Sequence, residues 1–204
     1  MHNGKKVKKQ KIMEAAYQLF CENGYKKTKI ADIAVAAGIG KGTVYEYFDS
    51  KEALLLSIFS SGTEEYLADC QAVIESQDTE KEKLINLIKI EAKCTKENGA
   101  RIMKMSQMIL DTSDGLSADF IKKMNEEWNK KYAFYRQILN RGIETGEFRK
   151  MDTDMAAVAI IGAVGSYLHV KYGVSTLPEI VLPFDVEALQ KEEMVELLLR
   201  GIQN

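Results

Sequence analysis

The chain is poor in the residues that build disulfide frameworks, metal centres and most hydrolytic sites: 204 residues include 3 Cys, 2 Pro, 2 His and 1 Trp. Cys21, Cys70 and Cys94 are odd in number, far apart and share no C-x-x-C spacing. That excludes a disulfide scaffold and a thiolate zinc site, and it fits a reducing cytosol. Two prolines and thinly spread glycines exclude a collagenous repeat, a disordered tail and a loop-rich all-β protein. His2 stands in the N-terminal tail and His169 inside an apolar segment, and no G-x-S-x-G occurs, so the sequence carries no nucleophile or metal motif. Long hydrophobic runs are also missing: Met155 to Val170 is the longest and includes Ser166 and His169, short of the roughly 20 residues that span a bilayer. The opening MHNGKKVKKQ has charge but no apolar stretch behind it, which excludes a secretory signal.

What is present is lopsided. The net charge of −2 points to no partner, yet residues 1–51 hold 10 Lys and no Arg against 5 acidic residues, while the remainder is acidic in balance. A basic head on an acidic body is the pattern of a nucleic-acid-binding module fused to something else.

Apolar periodicity near 3.6 runs through almost the whole chain, so the expected class is all-α, with about nine helices. Val7, Ile12, Ala15, Ala16, Leu19 and Phe20 define a first helix stopped at Asn23-Gly24. Thr28 is placed to cap a short second helix that ends at Gly38, and Gly40-Lys41-Gly42-Thr43 opens a third that runs to Phe48. Asp49 or Ser50 caps a fourth helix, expected to continue past Tyr66. Further helices follow, with Gly99 separating two of them, a long one from Leu116 or Ser117 to near Gly146, one capped by Asp152 or Thr153, and a last one from about Glu187 to Ile202. Pro178 and Pro183 fall in the loop before it, and Ile180–Leu182 is the only stretch with strand-like alternation.

The second and third helices, joined by Gly38-Ile39-Gly40-Lys41, form a helix-turn-helix over about residues 29–48. A glycine suits the bend because a tight turn often needs positive φ. Val44 and Phe48 lie one turn apart and should face inward, leaving Lys41, Gly42, Thr43, Tyr45 and Tyr47 for phosphate or base edges. The lysines at 5, 6, 8, 9 and 11 form a basic arm that could add backbone contacts. The same glycines do not make a nucleotide loop. A P-loop needs Gly at position 35 and Ser or Thr at 42, where Val35 and Gly42 stand, and the dinucleotide fingerprint would need Gly in place of Thr43.

Residues 8–55 closely resemble the DNA-binding segment of the TetR family of bacterial transcriptional regulators. The resemblance rests on Ile12, Ala15-Ala16, Leu19-Phe20, Gly24-Tyr25, Thr28, Ile33-Ala34, Ala37-Gly38-Ile39, Lys41-Gly42-Thr43-Val44-Tyr45, Tyr47-Phe48 and Lys51-Glu52-Ala53-Leu54. It departs at Lys29, where the family commonly has Ser or Thr, and at Gly40, commonly Ser. The resemblance implies a DNA-binding domain over residues 1–51 and an effector-binding, dimerising domain over 52–204. It assigns DNA contacts to Thr28, Lys29, Lys41, Gly42, Thr43, Tyr45, Tyr47 and Lys51. It also implies a cytoplasmic homodimer on a palindromic operator, with recognition helices roughly 34–36 Å apart or somewhat more.

In the body, Trp128, Tyr132 and Tyr135 share a helix face, and Met103, Met105 and Met108 sit on a neighbouring helix. Such stripes either pack a core or line a cavity for a small, largely apolar effector, with Tyr167 and His169 as further polar handles. Ala159, Gly162, Ala163 and Ser166 form a small-residue stripe, and Val195, Leu198, Leu199 and Ile202 an apolar one; the resemblance makes both candidates for the dimer interface. The expected function is a sequence-specific DNA-binding regulator, a repressor relieved by a small molecule, with no catalytic residue, no metal, no cofactor and no membrane. Two other readings stand beside it: an adaptor controlled by a protein partner without effector, and a small enzyme with an accessory DNA-binding head.

Overall fold

The computed structural model describes residues 2–61, 63–112, 115–172 and 188–204, with side chains from residue 4 onward. Nine helices follow one another among them: α1 (His2–Asn23), α2 (Ile30–Ala36), α3 (Lys41–Tyr45), α4 (Lys51–Ser61), α5 (Glu64–Glu75), α6 (Glu80–Thr112), α7 (Ala118–Thr145), α8 (Thr153–Lys171) and α9 (Lys191–Ile202). The described residues form no strand beyond an isolated bridge between Phe148 and Gln203. The loop carrying Pro178 and Pro183, the alternation at Ile180–Leu182 and the expected helix start at Glu187 lie outside the described residues. The chain divides into two compact units, residues 1–64 with 104–127 and residues 65–103 with 128–204.

In the first unit, α1 buries Ile12, Met13, Ala16, Tyr17 and Phe20 against Ile33 and Ala34 of α2, Val44 of α3 and Leu54, Leu55 and Ile58 of α4. The core also takes in Met105, Met108 and Phe120 from α6 and α7, so the sequence boundary at residue 51 falls inside this unit. The N-terminal lysines are not a loose tail. They continue α1 back to His2, with all five side chains exposed. Gly24 (φ +78°) and Gly38 (φ +68°) take the left-handed conformation that stops α1 and α2. Thr28 does not cap α2 with its hydroxyl, as the sequence led us to expect. Buried, it donates back to the carbonyls of Leu19 and Gly24, and the α2 N-terminus is closed by Asp32 accepting from the Lys29 amide (3.0 Å). The last turn of α1 and the turn that follows it thus take the hydroxyl that α2 was expected to use.

In the second unit, Cys70 of α5, Leu84, Leu87, Ile88 and Ala92 of α6, and Tyr135, Ile138 and Leu139 of α7 pack with Phe148, with Ala157, Ile160, Val164 and Leu168 of α8, and with Leu199 and Ile202 of α9. Two expected boundaries moved. The helix begun at Lys51 ends at Ser61 and α5 starts at Glu64, within a run of residues with poor helix propensity, Ser60-Ser61-Gly62-Thr63. Conversely, Gly99 does not break α6, because tertiary packing of a 33-residue helix outweighs the roughly 1 kcal/mol a helical glycine costs. Asp152 caps α8 by accepting from the amides of Asp154 and Met155 (2.9 and 3.0 Å). The α7–α8 loop fastens its surroundings: Glu147 accepts from the amides of Glu80 and Lys81 at the start of α6, while Arg149 and Asn204 tie the loop to the end of α9.

Helix α8 has 19 residues, longer than the apolar run read from sequence. Among the described residues it alone is long and apolar enough to cross a membrane. One face of it, Ala157, Ile160, Val164 and Leu168, is buried in the core of its own unit.

Candidate functional site

The helix-turn-helix leaves a distinct set of side chains outward. Val44 and Phe48 are buried, so α3 is held from beneath, as the spacing requires. On the other side Lys29, Lys41, Gly42 and Tyr45 are exposed, Tyr45 by 48%, while Thr43 and Tyr47 are half-buried with Tyr47 packed against the core. The exposed Tyr45 and the Lys41 ammonium on a short helix, with the Thr43 hydroxyl half-buried between them, fit phosphate oxygens and base edges.

Two residues assigned to DNA by resemblance have internal partners. Thr28 is buried on the carbonyls already named. The Lys51 ammonium donates to the carbonyls of Tyr25 (2.8 Å) and Thr28 (3.0 Å) and lies 4.3 Å from the centre of the Tyr25 ring. Burial holds the Lys51 pKa below its ordinary value and, with the Glu52 charge adding a smaller effect, pushes the Tyr25 hydroxyl up to about 12. Lys51 therefore pins the first turn of α4 to the loop after α1, a role set by a contact 26 residues away in sequence.

Of the body candidates, the structure brings some together and separates others. Met105 and Met108 belong to the core of the first unit, and Trp128 is 46% exposed, so these three do not join Tyr132, Tyr135 and Tyr167 around the second core. The reason is the length of α6 and α7, each of which supplies residues to both units. Met103 and His169 are half-buried, and the Tyr167 hydroxyl donates to the Leu189 carbonyl at 3.4 Å. A cleft of about 580 Å³ opens elsewhere on this unit, lined by Ile74, Glu80, Lys83, Arg136, Arg141 and Glu144 among others, and by none of the residues named from sequence. Its cations are matched by acids, Lys83 with Glu80 (3.1 Å), Arg141 with Glu144 (3.2 Å) and Arg136 with Asp154 (2.5 Å), so it is not an apolar chamber. Among the described residues no cluster of three or more His, Cys, Asp or Glu could hold a metal ion.

Sequence reasoning missed a half-buried polar cluster on α5, α6 and α7. Glu91 accepts from the Tyr66 hydroxyl (2.9 Å) and from the Lys131 ammonium (2.6 Å), with Cys70 and Tyr135 alongside. A signal existed: Glu91 interrupts the apolar stripe Leu84, Leu87, Ile88, Ala92, where a charge must find a partner. Burial pushes the Cys70 thiol up to about 11 and raises that of Cys94, whereas Cys21 is exposed. Native protein should accordingly show one fast thiol per chain toward Ellman's reagent, at Cys21, a slower reaction at Cys94, and none at Cys70 until denaturant is added. Peptide mapping of the labelled sites checks the order.

The small-residue stripe on α8 is largely outward: Ala159, Gly162 and Ser166 are exposed, Ala163 is half-buried, and Met155 (68%) and Val158 extend the face. On α9, Leu197 is 74% exposed, with Val195 and Leu198 half-buried. Leu199 and Ile202 turn the other way, into the core of their own chain, because a 12-residue amphipathic helix must first bury one side against its own unit.

A basic helix-turn-helix head and a helical body with an uncovered apolar helix pair define a DNA-binding regulator that assembles from two copies. Residues 12–58 match the family described as bacterial regulatory proteins, tetR family, and residues 71–204 match the C-terminal region of QacR-like proteins. The chain is 29% identical over 201 residues to the fatty acid metabolism regulator protein of Bacillus subtilis, covering 98% of each. It is 26% identical over 149 residues to the transcriptional repressor KstR2 of Mycolicibacterium smegmatis, covering 72% of this chain and 71% of that one. The crystal structure of the regulator FadR from Bacillus subtilis in complex with stearoyl-CoA superposes with a TM-score of 0.69 at 25% identity, covering 95% and 99% of the two chains. The chain belongs to the TetR family. It is a transcriptional repressor that binds operator DNA as a homodimer and is relieved by a small-molecule effector.

Proposed function

We propose that this repressor responds to a long-chain acyl-CoA and controls genes of fatty-acid metabolism. The observation that carries this reading is the end-to-end relation to the Bacillus subtilis fatty acid metabolism regulator, supported by the stearoyl-CoA complex of FadR from the same organism. Lys29, Lys41, Gly42, Thr43, Tyr45 and Tyr47 contact the operator, while Thr28 and Lys51 act by holding the loop and α4 in place. Ala159, Gly162, Ala163, Ser166, Val195 and Leu198 meet their symmetry mates across the twofold axis, with Leu199 and Ile202 backing them from inside. The protein works in the bacterial cytoplasm by binding alone, without turnover.

Repression and its relief then follow from coupling. An effector that binds a body conformation with wrongly spaced heads must lower operator affinity by the factor by which DNA lowers effector affinity. Helices α6 and α7 are continuous from the second unit into the core that holds α1 and α4, and Glu52 of α4 accepts from both the amide (2.9 Å) and the hydroxyl (2.6 Å) of Ser117 at the start of α7. A shift of α7 is thereby passed to α4. Fluorescence anisotropy of labelled operator should show stearoyl-CoA weakening binding, by about 5- to 150-fold for typical coupling, and titration calorimetry should return the same factor for DNA acting on stearoyl-CoA. Tight operator binding that stearoyl-CoA leaves untouched overturns the effector reading and leaves the repressor standing.

A further inference from the structure

The start of α1 stands clear of the head. Residues 4–11 are all exposed, Val7 included, and Ile12 is the first side chain that the core covers, so about 15 Å of helix projects at 1.5 Å per residue. Little within this stretch favours a helix. Gly4 is a poor helix former, the lysines at 5 and 8, 5 and 9, and 8 and 11 repel one another, and positive charge near a helix N-terminus opposes the macrodipole. None of Lys5, Lys6, Lys8, Lys9 and Lys11 forms an ion pair among the described residues. A polyanion laid against the projection removes the repulsion that the fold leaves standing.

The lysines are not equivalent around the helix. At about 100° per residue, the buried stripe Ile12, Met13, Ala16, Tyr17 and Phe20 is centred about 10° from Lys9 and about 50° from Lys5 and Lys6, but about 110° from Lys8 and about 170° from Lys11. Three lysines therefore prolong the inner side of α1 past the point where protein ends, and two face away. The Lys9 ammonium shows what lies beside that inner side: it is 5.8 Å from the centre of the ring of Phe48, which follows Tyr47 at the end of the helix-turn-helix. The basic row is thus continuous with the surface that carries Lys41 and Tyr45.

We infer that Lys5, Lys6 and Lys9 form a phosphate clamp that lies along the operator backbone beside the groove entered by α3. The clamp adds affinity and no sequence choice, because phosphates are alike at every base pair, and Lys8 and Lys11 take no part in it. The inference rests on the placing of α3 against DNA proposed above and extends that interface to the helix before it.

The test compares two matched full-length variants, Lys5→Ala with Lys9→Ala and Lys8→Ala with Lys11→Ala. Both lose the same charge at exposed positions of one helix, so both should fold like wild type, with circular dichroism as the control. Anisotropy titrations are made across a salt series on operator and on an unrelated duplex of equal length. The inner pair should lower affinity for both duplexes by about a hundredfold near 0.1 M salt and reduce the slope of log affinity against log salt by about 3.6, at roughly 0.9 for each of four phosphates in the dimer. The outer pair should change the slope by less than about 1. Equal slopes for the two pairs overturn the clamp and leave only a general positive field. A loss confined to the operator also overturns it, since these lysines would then read bases. If the inner pair loses nothing while Lys41→Ala with Tyr45→Phe weakens binding, the clamp falls and the α3 assignment stands; if neither weakens binding, both fall.

Discussion

Combining Lys41→Ala with Tyr45→Phe lowers operator affinity by about a thousandfold near 0.1 M salt. Two symmetry-related heads double every contact. A tyrosine hydroxyl on an anionic phosphate oxygen is worth about 1.5 kcal/mol or more, hence about a hundredfold from the two copies of Tyr45. The two Lys41 ammoniums add about another factor of ten, and their removal reduces the slope of log affinity against log salt by about 1.8, at roughly 0.9 per phosphate neutralised. The double variant should fold like wild type. Lys41 and Tyr45 are both exposed, and a cation in the first turn of α3 opposes the helix dipole rather than helping it. Anisotropy titrations across a salt series, with circular dichroism as the control, decide the matter. Unchanged affinity and slope would remove α3 as the recognition helix.

The second large effect concerns stability. Gly142→Ala in α7 would ordinarily gain up to about 1 kcal/mol, since alanine is the better helix former. Here the sign reverses. A Cβ at residue 142 would penetrate the ring of Phe148, which is 1% exposed and whose amide donates to the Gly142 carbonyl at 2.9 Å. The ring cannot swing aside without leaving the core and taking with it the loop in which Glu147 closes the start of α6 and Arg149 holds the end of α9. We expect a loss of about 3 kcal/mol or more, and for a chain of this size a drop in Tm of about 6–12 °C. Adding Phe148→Leu should recover part of it, because a smaller, flexible side chain yields where the ring does not. A Gly142→Ala protein that melts with wild type would show that Phe148 has another rotamer available. Operator binding by the surviving folded fraction should be unaffected, which separates this change from the one in α3.

These two predictions differ in how much of their basis was visible in the sequence. The outward placement of Lys41 and Tyr45 was legible because a helix-turn-helix is a local device: a few consecutive residues set the glycine turn at Gly38 and the inward pair Val44 and Phe48. Two helix ends were legible for the same reason, at Asp152 and at Gly146, which takes positive φ where α7 stops, whereas the cap expected of Thr28 was not formed. The Gly142–Phe148 contact was not, although the residues are six apart, because nothing in their types says that a ring will fold back over the last turn of α7. Thr28 and Lys51 sit within a strong family pattern, and only their partners show that they brace the head from inside.

What the sequence alone determined is the class of the protein: all-α, a basic recognition module at the front, an acidic helical body behind, because backbone conformation and charge are written residue by residue. Tertiary structure decided which faces meet. It carried α6 unbroken past Gly99, gave Met105 and Met108 to the core that holds α1, turned Leu199 and Ile202 inward, and gathered Tyr66, Glu91 and Lys131 from three helices into one half-buried cluster. Periodicity states that a helix has an apolar side; the neighbour that covers it is chosen by long-range packing, where burial of whole surfaces outweighs any single residue's preference.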